Sequence, residues 1–381
     1  MSNRTIYLDN AATSWPKPEQ VYQNVDSVSR KVRGNPGRGL NSSASLGNKI
    51  LNDAREEIAG FFNAPSPDYV IFTCNGTDSL NIALKGLINP GSKVLTGPYE
   101  HNSVMRPLNS LRERGAIITA AGRLEDYAID LKSVARICRD GIDFAVISHI
   151  SNVTGSVADI AGISRIVHSA GGLVILDAAQ SAGIIQIDMK ELGVDILAAP
   201  GHKGLMGPMG TGILVLSDNF SIKPFREGGT GILSDEDSQP ENLPFRLEAG
   251  TSNLPGIAGL LEGIRFLKST GLDMIARHES ELASRLINGL NQMKGINLYC
   301  NTKNPQSGVV SFTADSVEPS VIETILDQAY HIQVRSGLHC SPHAHKSIGT
   351  FPAGTVRVSF GYYNTFEEID TLLSALQSII H

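Results

Sequence analysis

The residues of this 381-residue chain that suggest chemistry fall directly after short apolar runs. Ala199-Pro200-Gly201-His202-Lys203-Gly204 ends one run and opens a glycine-rich loop. A lysine with a lowered pKa forms an imine with an aldehyde cofactor, although a loop lysine taken alone is ordinarily just solvated. Asp177 stands directly after Leu173 to Leu176. A carboxylate there either caps a helix or ion-pairs with a pyridinium nitrogen, the partner arrangement expected for pyridoxal phosphate. After Val70 to Phe72, the run Cys74-Asn75-Gly76-Thr77-Asp78-Ser79 precedes a helix. Its backbone N–H groups, the Thr77 hydroxyl and the helix dipole suit a phosphate, and Thr77 or Asp78 equally suits ordinary N-capping. No Gly-x-x-x-x-Gly-Lys-Ser/Thr loop occurs, so a nucleoside triphosphate is not the obvious ligand. His101, in Tyr99-Glu100-His101-Asn102-Ser103, offers an imidazole to stack on a flat ring.

The C-terminal third adds further candidates. Arg357 lies in the alternating segment Thr355-Val356-Arg357-Val358-Ser359, one face of which is apolar. An arginine on the other face is usually solvated, yet its fork, like that of Arg335, suits a substrate carboxylate. Cys340 lies in the polar segment Arg335-Ser336-Gly337-Leu338-His339-Cys340-Ser341-Pro342-His343-Ala344-His345, where histidines and Arg335 favour a reactive thiol. Cys340, His343 and His345 also invite a zinc reading, but a fourth ligand and a recognised spacing are missing.

The elements that must position these residues read as an α/β protein. Ile50, Ala54, Ile58 and Phe61/Phe62 recur at helical spacing between Lys49 and Phe62. Val70 to Phe72, Phe144 to Ile147, Leu173 to Leu176, Ile196 to Ala199 and Ile213 to Leu216 read as buried strands. Helical segments such as Leu80 to Leu87 and Ile160 to Ala170 separate several of them, which predicts a mostly parallel sheet flanked by helices. Ligands in such sheets sit beyond the carboxyl ends of the strands. The Gly-, Ser- and acid-rich stretch Arg226 to Gly250 reads as a long surface loop. A second, smaller α/β lobe is expected beyond it: helices near Ile257 to Leu267 and Leu272 to Met293, strands near Gly308 to Phe312 and Thr355 to Phe360, and a last helix from Phe366 to Ile380. The expected division is an N-terminal segment 1–20 packing with the small domain, a large domain 21–256, and a small domain 257–381 carrying Arg335, Cys340 and Arg357.

Composition bounds the rest. A length of 381 residues exceeds what most single cores support, in keeping with two lobes. A formal net charge of −6 and the lack of a Lys/Arg-rich run argue against nucleic acid or an anionic membrane as partner. The start shows no leader-like pattern and no segment is apolar for a bilayer's thickness, so a cytoplasmic location is expected. Cys74, Cys138, Cys300 and Cys340 make no paired metal-ligand spacing and no disulfide ladder, which suits a reducing compartment.

Taken together, the segments Tyr7-Leu8-Asp9-Asn10-Ala11-Ala12-Thr13, Asn35-Pro36-Gly37-Arg38-Gly39, Glu100-His101, Ser151-Asn152, Asp177-Ala178-Ala179-Gln180, Gly201-His202-Lys203, Ala249-Gly250-Thr251 and Arg335 to Cys340 resemble the cysteine desulfurases and selenocysteine lyases of the class V aminotransferase fold. The likeness spans nearly the whole chain, and its specificity lies in the order and spacing of the segments. It implies the type I architecture of pyridoxal 5′-phosphate enzymes, with Lys203 carrying the cofactor as a Schiff base. It further implies that Asp177 holds the pyridine nitrogen, Gln180 contacts the ring hydroxyl and His101 stacks on the ring. Asn152 would lie near cofactor and substrate. Gly76, Thr77 and His202 match phosphate-binding positions, and Thr251 matches one that reaches the partner subunit's phosphate, which implies a homodimer. Arg357 matches the anchor for the amino-acid carboxylate, and Cys340 the cysteine that receives sulfur.

The expected reaction converts L-cysteine to L-alanine and leaves a persulfide on Cys340, with Lys203 taking the α-proton. A sulfur-acceptor protein and iron–sulfur assembly are possible destinations. Selenocysteine lyase is a close variant, a class V aminotransferase acting on a small amino acid is a second reading, and a cofactor- or metal-binding protein without turnover is a third. The sequence departs from the family pattern at Pro200, where a serine is common, at Gly76, where a threonine is frequent, and in His343-Ala344-His345-Lys346.

Overall fold

The computed structural model describes residues 5–36, 41–233, 235–303 and 307–380. Gly37, Arg38 and Gly39 of the Asn35 to Gly39 segment lie outside the described residues, as does residue 234 of the 226–250 stretch.

The apolar runs become a seven-stranded sheet in the order Val70–Thr73, Gly212–Leu216, Ile196–Pro200, Leu173–Asp177, Phe144–Ser148, Lys93–Thr96, Ile117–Ala120. Only Gly212–Leu216 runs against its neighbours, pairing antiparallel with both Val70–Thr73 and Ile196–Pro200. The runs lack alternation because both faces are covered. Ala145, Ile147, Val174, Leu176 and Leu197 join one core, while Phe144, Val146, Ile175, Ile196 and Leu214 join the other. Each fully buried aliphatic side chain contributes about 1.5–3 kcal/mol. The helix expected from Lys49 begins earlier, spanning Ser42–Phe62, because the Asn41 side chain caps it by accepting from Ala44 N–H at 2.9 Å.

A four-stranded antiparallel sheet, Arg335–Gly337, Thr355–Ser359, Val309–Ala314, Ile296–Leu298, forms a separate layer. Val356 and Val358 pack with Leu282, Leu286, Leu326 and Leu372 of the helices Leu272–Leu290, Pro319–Tyr330 and Phe366–Ile380. The chain's first strand, Ile6–Tyr7, pairs in parallel with Ile332–Gln333. Beyond it, Asn10 N–H donates to Ser359 O at 3.2 Å and Ser14 N–H to His202 O at 3.1 Å, so this segment runs from one lobe to the other.

The helix Leu254–Thr270 was expected to open the small lobe. Instead Ile257, Leu260, Leu261, Ile264 and Leu267 share a core with Leu197 and Ile213 of the large sheet. Packing is therefore continuous across residue 256, and we propose a division near Gly271, whose φ of 87° ends the helix. The 226–250 stretch holds no helix or strand among its described residues. It is nevertheless anchored: Glu248 pairs with Arg55 at 2.6 Å and accepts from Phe72 N–H at 2.6 Å.

Candidate active site

The carboxyl ends of the parallel strands open onto one cavity between the lobes, as open α/β sheets favour. Gly76, Thr77, His101, Asn152, Asp177, Gln180, His202, Lys203, Arg335 and Arg357 all line it. Ala11, Ala12, Asn75, Ser103, Ser148 and His339 complete much of the wall. Thr251 is exposed and is not among the lining residues. Cys340 is exposed as well, and it meets the site through Arg335, whose Nη2 donates to its Sγ at 3.5 Å.

Asp177 ends its strand with only 4% of its surface exposed. Its Oδ1 accepts from Ala179 N–H at 3.0 Å. Burial pushes its carboxyl pKa up, and the Ala179 N–H and the Lys203 charge oppose that shift. The Lys203 amine is pushed down to about 8, chiefly by burial and further by the Arg357 and Arg335 charges, against the pull of Asp177. The loop carrying Lys203 is packed tightly from behind. A Cβ on Gly183, where φ is 87°, would lie 2.1 Å from Gly204 O, so only glycine fits there. From the front, Ser14 Oγ donates to Lys203 O at 2.7 Å, and Lys17 Nζ donates to His202 O at 2.6 Å.

His101 caps the helix Asn102–Glu113 by accepting from Ser103 N–H on Nδ1 at 3.0 Å, which places the ring proton on Nε2. Burial first, then the Lys203 and arginine charges, push its pKa down to about 4, so the ring is neutral at physiological pH. The preceding residue, Glu100, is 1% exposed and receives Gly97 N–H, Ser148 N–H and Ser148 Oγ–H. It thereby fixes the loop that presents His101. Gln180 Nε2 donates to Ala11 O at 2.9 Å.

Arg357 departs from the expectation of a solvated face: it is 1% exposed, because the large lobe covers that side of its strand. Its Nη1 donates to Asn152 O at 3.2 Å and its Nη2 to Asp9 Oδ1 at 2.5 Å. Asn152 also holds the cysteine segment, donating from Nδ2 to His339 O at 2.8 Å and accepting from Ser341 Oγ at 2.8 Å. Asn102 N–H adds a third tether, to Cys340 O at 2.8 Å. His345 of the alternative zinc reading is buried and engages Thr350 Oγ1 through Nδ1 at 2.7 Å. Asp9, Glu100, Ser148 and Ser341 carried no assigned role in the sequence. Asp9 stood within a quoted motif, and that was its only signal.

The donor set fits pyridoxal phosphate. A buried carboxylate suits a protonated ring nitrogen, and an amine of lowered pKa suits an aldehyde. For a phosphate there is the N-terminus of Gly76–Leu87, together with His202 Nδ1, which is buried without a hydrogen-bond partner.

Comparison with known proteins agrees. The family model described as aminotransferase class-V matches residues 6–372. The chain is 35% identical to a probable cysteine desulfurase of Methanothermobacter thermautotrophicus, over 98% of this chain and 94% of that protein. It is 33% identical to one of Pyrococcus abyssi, over 100% of this chain and 95% of that protein. The solved cysteine desulfurase of Thermococcus onnurineus superposes with a TM-score of 0.92 at 33% identity, over 99% of this chain and 95% of that one. Family model, relatives and fold coincide over nearly the full length, and the chain belongs to the class-V aminotransferase family.

Proposed function

We propose that this protein is a pyridoxal-phosphate-dependent cysteine desulfurase that converts L-cysteine to L-alanine and collects the sulfur as a persulfide on Cys340. The observation that carries the reading is the placement of an exposed thiol against Arg335, itself a wall of the cavity that holds Lys203, Asp177 and Arg357. The cofactor supplies, when bound, a sink for the electrons released at the substrate's α-carbon.

The chain's residues supply the rest. Asp177 would keep the ring nitrogen of the cofactor protonated, and His101, neutral and fixed by Ser103, would supply the face against which that ring packs. His202 and the N–H groups of Gly76 and Thr77 would hold the phosphate. Arg357 and Asn152 hold the α-carboxylate, with Arg335 between it and the thiol. Lys203 Nζ would take the α-proton. The Cys340 sulfur then forms an S–S bond to the substrate sulfur as the substrate C–S bond breaks. That bond's electron pair stays with the carbon skeleton, which gains a proton at Cβ, recovers one at Cα from Lys203 and leaves as alanine.

No helix among the described residues is long and apolar enough to cross a membrane. We take the protein to be cytoplasmic and homodimeric, with the exposed Thr251 facing the partner's phosphate, and to hand sulfur to an acceptor protein, iron–sulfur assembly being one destination. Incubation of the holoenzyme with L-cysteine should yield alanine and a persulfide that mass spectrometry maps to Cys340. Cys340→Ala should cut alanine release at least a hundredfold while keeping the yellow cofactor absorbance. Amine transfer that needs a keto acid, with no persulfide, would support the aminotransferase reading instead. Full cysteine turnover by Cys340→Ala would remove the role given to that thiol.

A further inference from the structure

Arg335 and Arg357 sit directly opposite each other in the antiparallel pairing of Arg335–Gly337 with Thr355–Ser359. Like charges in that position repel, and both side chains line the cavity. Arg357 is 1% exposed, so water does little to screen it. The anion in contact with it is Asp9, at 2.5 Å from Nη2, with a side chain 18% exposed. Asp9 comes from the inter-lobe segment, which a parallel bridge to Ser359 lays along the small-lobe sheet. That segment is itself pinned at both ends: Tyr7 Oη donates to Asp9 O at 3.0 Å and to Thr13 O at 2.9 Å, and Ala11 N–H donates to Ser359 Oγ at 2.9 Å.

We infer that Asp9 is a positioning residue that aims the Arg357 guanidinium at the substrate's α-carboxylate and offsets one of the two facing arginine charges. A buried fork is directional: a carboxylate fixed on Nη2 and a carbonyl on Nη1 leave one orientation of the plane. Without Asp9, the two guanidiniums drift apart and the carboxylate loses a preorganised partner. With it, the arginine pair carries a net single positive charge, matched to a ligand with one carboxylate. Amino acids bearing a second carboxylate are then disfavoured.

The inference rests on the reading of Arg357 as the carboxylate anchor, and the experiment separates the two. Holoenzyme is titrated at equilibrium with L-alanine and, separately, with 2-aminoethanethiol, which lacks the carboxylate, following the visible absorbance. Steady-state KM and kcat for L-cysteine are measured in parallel. Asp9→Ala is expected to weaken L-alanine binding and raise KM about tenfold or more, to change kcat less than threefold, and to leave 2-aminoethanethiol binding unchanged. Asp9→Asn, which keeps an acceptor oxygen but loses the charge, is expected to recover only part of the loss. Asp9→Glu keeps the charge but displaces it by one methylene, and is expected to show the same KM-selective defect even if Asp9→Ala folds poorly. Unchanged L-alanine binding in Asp9→Glu and Asp9→Ala, or equal loss for both ligands, would overturn the inference. If Arg357→Leu leaves the preference for L-alanine over 2-aminoethanethiol intact, the anchor reading itself fails, whatever Asp9 does.

Discussion

Gly76 and Pro200 face each other across the end of the cavity where we place the phosphate: a Cβ on residue 76 would lie 3.0 Å from Pro200 Cδ and 3.2 Å from its nitrogen. The two departures from the family pattern are therefore one feature. A proline ring fills space that a side chain at 76 would need, and neither residue supplies a hydroxyl. Gly76→Thr alone is expected to push the proline aside and weaken cofactor binding roughly tenfold, about 1.4 kcal/mol. The pair Gly76→Thr with Pro200→Ser is expected to restore or exceed wild-type affinity. Additive effects of the two changes in cofactor dialysis would show that the positions are independent.

The tether from Ser341 Oγ to Asn152 Oδ1, both residues buried, holds the thiol segment against the large lobe. Ser341→Ala leaves a buried acceptor unpaired, at a cost of about 1–3 kcal/mol to the closed arrangement. Faster hydrogen exchange in residues 338–342 and a persulfide-forming rate several-fold lower are expected, with the cofactor spectrum unchanged. Equal exchange in the two proteins would count against the tether.

Lys203 must be neutral at Nζ to capture an aldehyde. Because burial brings its pKa to about 8, the rate at which apoprotein takes up pyridoxal phosphate should rise with pH through 8 and level off above it. Asp177 holds that value up, so Asp177→Asn should move the midpoint lower. A rate still climbing past pH 10 would mean an unperturbed lysine.

Glu279, 4% exposed with Oε1 lacking a hydrogen-bond partner, is pushed up to about 8 by burial from an ordinary 4.5. Between those values the folded state keeps a proton that the unfolded state has lost. Stability contributed by the neutral acid is thus complete at low pH and declines as pH rises through this window, by up to about 1.4 kcal/mol per unit. Glu279→Gln should flatten the dependence of the urea midpoint between pH 5 and 9. An unaltered slope would place the titration elsewhere.

What the sequence disclosed follows from how each signal is made. The strands at 144–148, 173–177 and 196–200 were legible because burial on both faces forces an unbroken apolar run. Ile117–Ala120, an apolar stretch that lies largely exposed at the sheet edge, and Lys93–Thr96, which opens on an exposed lysine, are strands that the sequence reading does not name. Residues just past strand ends were legible as candidates, since polar side chains there need a reason. The partner of Arg357 was not, because Asp9 lies 348 residues away and only the fold brings it near. The helix at 254–270 misled because periodicity reports a buried stripe without naming the core that receives it.

His339 and Cys340 have consecutive positive φ values of 48° and 57°, a region that side-chain-bearing residues enter at some cost. The backbone there doubles back on itself, so the sulfur rides on a short hook instead of at the tip of a long swinging arm. If Cys340 carries the persulfide proposed above, that sulfur has little reach, and an acceptor would have to approach this surface and present its own nucleophile at the rim.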